Sequence, residues 1–554
     1  MQVPDILSIV TFLPLVGALL TMAARSDQAI RVTALAVTTA TFLISVLLWT
    51  GFSVADAAEL QFVSGGFNLI SEAYDIRYLL GIDGISLLLV LLTTLLGPIV
   101  VLSSWKYIDR HVKGYYTLLL ILQTGMTGVF CAFDVVLFYV FFELTLIPMY
   151  FLIGIWGGEE RIYAAVKFVI YTMAGSLLML VAILYLGHAA GQAVNDGLFT
   201  TDYFKLVEYN VPISTQTWLF VLFALAFAIK VPMFPFHTWL PDAHVQAPTG
   251  GSVILAGVLL KMGTYGLVRF CLPFFPHAAA EQAVLFGTLA VIGIIYGALV
   301  SRAQPDAKKL VAYSSVSHLG FVVLGIFAFT LTSLQGAVIQ MINHGLSTGA
   351  LFLLVGMLYE RRHTRRMADF GGIARSVPLL TFFMVLTALA SAGLPGLNGF
   401  VGEFLILVGS FGSSIPGMTV LTAFATTGVI LAAIYLLWML SRIFFGPVRN
   451  EENQTMPDLN RRELIILVPL AALMILMGVM PQPFLERSEP ATAQLLELVQ
   501  AKQSAAPDEP SRPSQKNMPD DPVREGGFEV RAEPDTSQTQ GMIPYASMLQ
   551  AMDH

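Results

Sequence analysis

The chain has little cysteine and little charge. Of its 554 residues only two are cysteine, Cys131 and Cys271, and 12% are Asp, Glu, Lys or Arg, against 56% hydrophobic. Two isolated thiols cannot build an iron–sulfur cluster, a disulfide framework or a cysteine zinc site. No glycine-rich dinucleotide loop follows a strand pattern, and there is no phosphate-binding P-loop. Redox cofactors, nucleotide chemistry and a bound metal are therefore not expected on this chain. Soluble domains average about 25% charged residues, so so low a share implies an integral membrane protein. A cleaved leader is not expected either. The first apolar run, 6–24, is followed by Arg25 and Arg31 with no convincing cleavage site, so it reads as a spanning helix.

Runs of about twenty apolar residues predict an all-α membrane protein with about fourteen transmembrane helices. They fall near 5–24, 30–50, 79–103, 115–133, 135–156, 163–187, 217–236, 251–271, 284–301, 309–330, 334–359, 377–410, 418–445 and 463–481. Loops after odd-numbered spans hold 19 basic residues, and loops after even-numbered spans hold three, Arg77, Lys205 and Arg269. By the positive-inside rule the odd loops are cytoplasmic and both termini face outward. Beyond Pro481 the composition turns to Pro, Ser, Gln, Asp and Glu, with twelve acidic and six basic residues. Such a segment cannot bury a core, so 486–554 is expected to be a disordered acidic tail, with ATAQLLELVQ able to form one amphipathic helix.

The stretch 227–270 organises the rest. Lys230 sits in an apolar run and is followed by Pro232 and Pro235, which break a helix beside it. Lys261 lies about ten residues into the next span, roughly 15 Å deep. A lysine there costs at least about 2.5–3.5 kcal/mol, which makes a functional role the default reading. Four further titratable groups fall inside spans: Glu143, His318, His344 and, after a glycine-rich break in the overlong twelfth span, Glu403. Six groups at similar depth on six helices suggest a polar row in the plane of the membrane. A structural alternative exists for each: Glu143 and Lys230 could be an ion pair that stitches helices, and a neutral histidine can simply bond a neighbouring helix. His237, Asp242 and His244 in HTWLPDAH are read as lining a water entrance in preference to a metal site. Asp134, Glu159 and Glu160, at loop ends, are expected to be solvated.

The two broken spans, the seventh and twelfth, are five apart, an odd offset that implies an inverted repeat. The expected organisation is 1–110 (helices 1–3), 111–275 (first repeat, helices 4–8), 276–447 (inverted second repeat, helices 9–13), 448–485 (last helix) and 486–554 (tail). Lys230 and Glu403 are then counterparts, and Lys261 has no ionisable counterpart in the thirteenth span.

FELTLIPMYFLIGIWGG, KVPMFPFHTWLPDAHVQAPTGGSVILAGVLLK, DAKKLVAYSSVSHLGF and GLPGLNGFVGEF resemble the antiporter-like membrane subunits of respiratory complex I, the proton-pumping NADH–quinone oxidoreductase. The resemblance runs from Met1 to about Pro481. Within that family the M branch, whose mitochondrial counterpart is chain 4, carries glutamate in the broken twelfth span where its sisters carry lysine, and Glu403 occupies that position. The resemblance implies a translocase subunit in a bacterial inner membrane, with NADH, FMN, iron–sulfur clusters and quinone on partner subunits. Its expected partners are the other membrane-arm subunits, including sister antiporter-like chains, together with lipid and protons, and no nucleic acid. It also implies proton-transfer roles for Glu143, Lys230, Lys261, His318, His344 and Glu403, with the closeness of Glu143 to Lys230 setting whether that amine holds its proton. Rival readings are a subunit of a sodium/proton antiporter or a membrane-bound hydrogenase, and a structural subunit that pumps nothing.

Overall fold

The computed structural model describes residues 5–70 and 74–504, and the sequence beyond Ser504 lies outside the described residues. Helices α1 (Ile6–Ala23) and α2 (Asp27–Gly51) lead into β1 (Gln61–Asn68), β2 (Tyr74–Asp75) and β3 (Arg77–Ile82). There follow α3 (Leu87–Ser104), α4 (Val112–Cys131), α5 (Val135–Trp156), α6 (Arg161–Val194), β4 (Phe199–Thr200), α7 (Ile213–Lys230), α8 (Trp239–Gln246) and α9 (Thr249–Phe274). The second part of the chain adds α10 (Ala283–Ala303), α11 (Ala307–Phe327), α12 (Leu331–Arg362), α13 (Pro378–Ser391), α14 (Asn398–Phe411), α15 (Met418–Ile443), α16 (Arg461–Val479) and α17 (Gln482–Ser504). Thirteen described helices are long and apolar enough to cross a membrane, and the shorter α13 and α14 together cover the expected twelfth span.

In hydrocarbon a backbone must satisfy its own polar groups, so helix ends need partners. Asp306 caps α11 through the Lys308 and Lys309 amides, and Asn460 and Glu463 form a reciprocal capping box on α16. Asp134 caps α5, accepting from the Val136 and Leu137 amides at 3.0 Å. It also accepts from the Arg77 amide and the Thr201 hydroxyl, and only 1% of it is exposed. The expectation of a solvated Asp134 is thereby corrected: the loops after α2 and α6 fold back over it. In the same patch Asp75 meets Arg77, Lys205 and Thr200 at 2.7–2.8 Å. Burial pushes the Asp75 carboxyl up, but those three donors outweigh it and hold it below its usual range.

Burial is uneven and locates the interior. The apolar windows of α9 and α12 are wholly buried and that of α11 is 94% buried, whereas α2 and α15 are 33% buried. Close approach depends on glycine at two places. A Cβ on Gly336 of α12 would lie 2.7 Å from the Ile406 amide of α14. One on Gly263 of α9 would lie 2.8 Å from the Phe227 carbonyl, so the end of α7 rests on α9 two residues from Lys261.

Three features depart from the sequence reading. An antiparallel β1–β3 hairpin joins α2 to α3, and a search for twenty-residue apolar runs does not register eight-residue strands. Arg269, assigned to a loop, lies inside α9 and is 6% exposed. The tail expected from 486 begins instead as helix α17, which continues to Ser504 because Leu495 and Val499 find an apolar surface to bury.

Candidate functional site

The three most enclosed helices each contribute one titratable side chain to a common cluster. Lys261 of α9 is fully buried, and its ammonium donates to His344 Nδ1 of α12 at 2.6 Å and to the Ala256 carbonyl. Ala256 belongs to a π-helical segment, Leu255–Leu259, and a second one, Leu267–Cys271, follows Lys261. Such wide turns are rare and often occur at functional positions. The ring of His344 lies 6.0 Å from that of His318 on α11. His318 Nδ1 is 2.9 Å from Glu403 Oε1 of α14, and its Nε2 is 2.9 Å from the Tyr435 hydroxyl of α15. Glu403 Oε1 also accepts from Gln340 Nε2 at 3.2 Å, while Oε2 has no partner.

With the His318 proton on Nδ1, facing the carboxylate, Nε2 accepts from the Tyr435 hydroxyl, so both ring nitrogens are engaged and the ring is fixed. His344 is different. Its Nδ1 faces Lys261, and its buried Nε2 has no hydrogen-bond partner. A buried, unpartnered nitrogen next to a second imidazole is equipped to receive or give a proton.

The other two groups sit apart from this cluster. Lys230 ends α7 and is 2% exposed. Its ammonium lies over the Phe142 ring at 4.8 Å and the Phe168 ring at 5.8 Å, and no hydrogen bond or ion pair within 4.0 Å reaches it among the described residues. Glu143 of α5 is part-exposed and does not touch Lys230, although its charge acts on it. The expected direct Glu143–Lys230 pair is therefore open here, with the lysine held by aromatic faces.

The HTWLPDAH segment does not converge on one point. Asp242 binds Lys167 at 2.7 Å, His237 stacks on Phe234, and His244 stacks on Phe352 with ring centres 4.5 Å apart. His244 is fully buried with neither nitrogen bonded. It faces α12 at Phe352, two turns from His344, and the unpartnered Thr348 hydroxyl lies between His344 and Phe352 in sequence.

Sequence reasoning did not pick out Tyr435, Gln340 or the π-helical turns. A tyrosine or glutamine within an apolar run reads as tolerated polarity, and no residue pattern announces a π turn. One signal was available: Tyr435 lies in the thirteenth span, which corresponds to the eighth span of Lys261 if the halves repeat.

The fold and cluster define a class: a many-helix membrane protein with linked titratable groups in its most enclosed layer. The chain matches the family described as NADH:quinone oxidoreductase/Mrp antiporter over residues 132–430, and the NADH-ubiquinone oxidoreductase chain 4 amino-terminal family over 9–129. It is 45% identical to NADH-quinone oxidoreductase subunit M of Rhodobacter capsulatus, over 89% of this chain and 96% of that one. A chain of respiratory complex I from Thermus thermophilus, solved with bound NADH, superposes with TM-score 0.80 at 32% identity, covering 89% of this chain and 99% of the other. A chain of the Mrp complex from a Dietzia species shares the fold at TM-score 0.76 and 20% identity, covering 90% and 99%. The chain belongs to the subunit M family of the NADH-quinone oxidoreductases.

Proposed function

We propose that this chain is a proton-translocating module of the membrane arm, moving protons through Glu143, Lys230, Lys261, His344, His318 and Glu403 while redox chemistry proceeds on other subunits. The observation that carries the reading is the succession of Lys261 bonded to His344, the His344 ring 6.0 Å from the His318 ring, and His318 bonded to Glu403. Protons enter from the cytoplasm past His237 and His244, a side assigned by the basic residues of the odd loops. Both termini then face the periplasm of a bacterial inner membrane. Glu143 drawn towards Lys230 favours the ammonium, and Glu143 withdrawn favours the neutral amine, so the ammonium then hands its proton on to Lys261. Water between His344 and His318 completes the transfer to Glu403. Moving one charge against 100 mV costs about 2.3 kcal/mol, so contact changes worth a few kcal/mol are sufficient. The two halves, 111–275 and 276–447, act as inverted repeats, each with a charge beside an interrupted helix.

The experiment is NADH-driven proton uptake into inverted membrane vesicles carrying wild type, Lys230→Ala or Lys261→Ala, with a blue-native gel for assembly. Loss of uptake in an intact complex supports the row. Full uptake with either lysine gone makes the row structural. A sodium requirement in the wild type would favour the antiporter reading.

A further inference from the structure

The mechanism above makes no use of a second buried cation on α9. Lys261, Tyr265 and Arg269 recur at intervals of four, on one face of the helix. Arg269 therefore lies roughly 12 Å from Lys261 along the axis, towards the end of α9. Its surroundings are closed on all sides. Nη2 reaches both oxygens of Asp83 at 2.7 and 2.6 Å, and Nε donates to the Tyr265 hydroxyl at 3.1 Å. The rings of Phe133, Tyr265 and Tyr203 lie 4.9, 5.3 and 5.8 Å from the guanidinium carbon. Asp83, at the turn from β3 into α3, is itself saturated by the Ile85 and Ser86 amides and the Ser86 hydroxyl.

This is a cation that cannot move and cannot titrate. A guanidinium does not release its proton in a protein, unlike the lysines and histidines of the row. Asp83 balances that charge from one side, so a proton arriving along α9 meets the positive end of a fixed pair, whose field the low-dielectric interior screens far less than a surface would. Fixed arginines exclude protons from other membrane pores in this way. Between Lys261 and this end of α9, the polar groups along that face are the Tyr265 hydroxyl and then Arg269.

We propose that Arg269, held by Asp83, is an electrostatic barrier that closes the direct outward route along α9, so that a proton on Lys261 leaves sideways through His344. The proposal rests on the proton-translocating reading above, but its test does not use the pump. The complete oxidoreductase complex is reconstituted into liposomes, and passive proton conductance is measured after an imposed potassium/valinomycin potential, without NADH. Three variants are compared, each checked for assembly by blue-native gel. Arg269→Lys keeps the cation and stays as tight as wild type. Asp83→Asn weakens the pair but keeps the cation, and also stays tight. Arg269→Gln/Asp83→Asn removes both charges while keeping hydrogen-bonding groups, so no charge is left buried and unpaired. Its conductance rises several-fold.

A tight double variant in an assembled complex overturns the barrier. Equal leakage from Asp83→Asn and the double variant also overturns it, because the pair then merely holds α3 to α9. If Lys261→Ala pumps normally while the double variant leaks, the row is wrong and the barrier stands.

Discussion

The two halves of the membrane domain hold their charged groups differently. In 111–275, Lys230 is enclosed by the faces of Phe142 and Phe168 with no hydrogen bond, and Glu143 stands off, part-exposed. In 276–447, His318 has both nitrogens engaged and Glu403 takes two donors on one oxygen. A chain of proton carriers needs both kinds of site. A fully bonded imidazole has a defined tautomer and position, so it transfers in one direction at a fixed distance. A desolvated, unbonded amine is responsive, because a small movement of one neighbouring charge changes its preferred state. Lys261 lies where the two regimes meet.

The strongest way to break this contrast is to remove the junction. Lys261→Met, which nearly conserves volume, is expected to lower NADH-driven proton uptake at least about a hundredfold, or roughly 2.7 kcal/mol. Uptake within a few-fold of wild type in an assembled complex would mean that the halves work independently. Next, Phe142→Leu removes the nearer ring from Lys230. A desolvated cation–π contact is worth about 2 kcal/mol, so uptake slows roughly ten- to thirtyfold while assembly is retained. Measured proton-to-electron ratios separate this from a general slowing, because quinone reduction should fall less than uptake. An unchanged ratio would show that the ring is packing only.

A smaller effect is expected on the bonded side. Tyr435→Phe deletes one of the two bonds that fix His318, leaving Nε2 without a donor at a cost of about 1 kcal/mol, or roughly fivefold in rate. The pH profile of pumping should shift with it, which loss of packing alone would not produce. The mildest test lies outside the row, at Asp75. Its folded-state carboxyl titrates below the unfolded value of about 3.9, so its stabilisation is present above that pH and is lost as pH falls through the lower, folded value. Amide exchange in residues 199–205 should quicken below about pH 4 and leave α12 unaffected. Equal quickening in both would show general acid unfolding.

The titratable groups inside the spans were legible because charge in a hydrophobic run stands out. Glu143, Lys230, Lys261, His318, His344 and Glu403 are conspicuous for the free-energy cost of putting them there. Their partners are less visible. Gln340 and Tyr435 have little desolvation cost once hydrogen-bonded, so only three-dimensional proximity picks them out. Arg269 was counted with the loop residues because it lies near the end of the eighth span, whereas in the fold three aromatic rings and Asp83 replace its water. Helix α17 was legible in part: the amphipathic stretch 491–500 was expected and its Ala491, Leu495 and Val499, spaced by four, face inward, but the polar mean of the segment concealed that the helix runs from Gln482 to Ser504.

The Ala256 carbonyl has a consequence for timing. It lies in a π turn five residues before Lys261 and accepts from that ammonium, while His344 provides the other contact. An imidazole changes state as protons pass, but a peptide carbonyl does not. On the proposed route Lys261 therefore keeps one acceptor through every step, including the moment when its proton has passed to His344, which can then no longer accept. On that proposal the fixed carbonyl holds Lys261 in place while His344 empties, so filling from the Lys230 side and emptying towards Glu403 need not coincide.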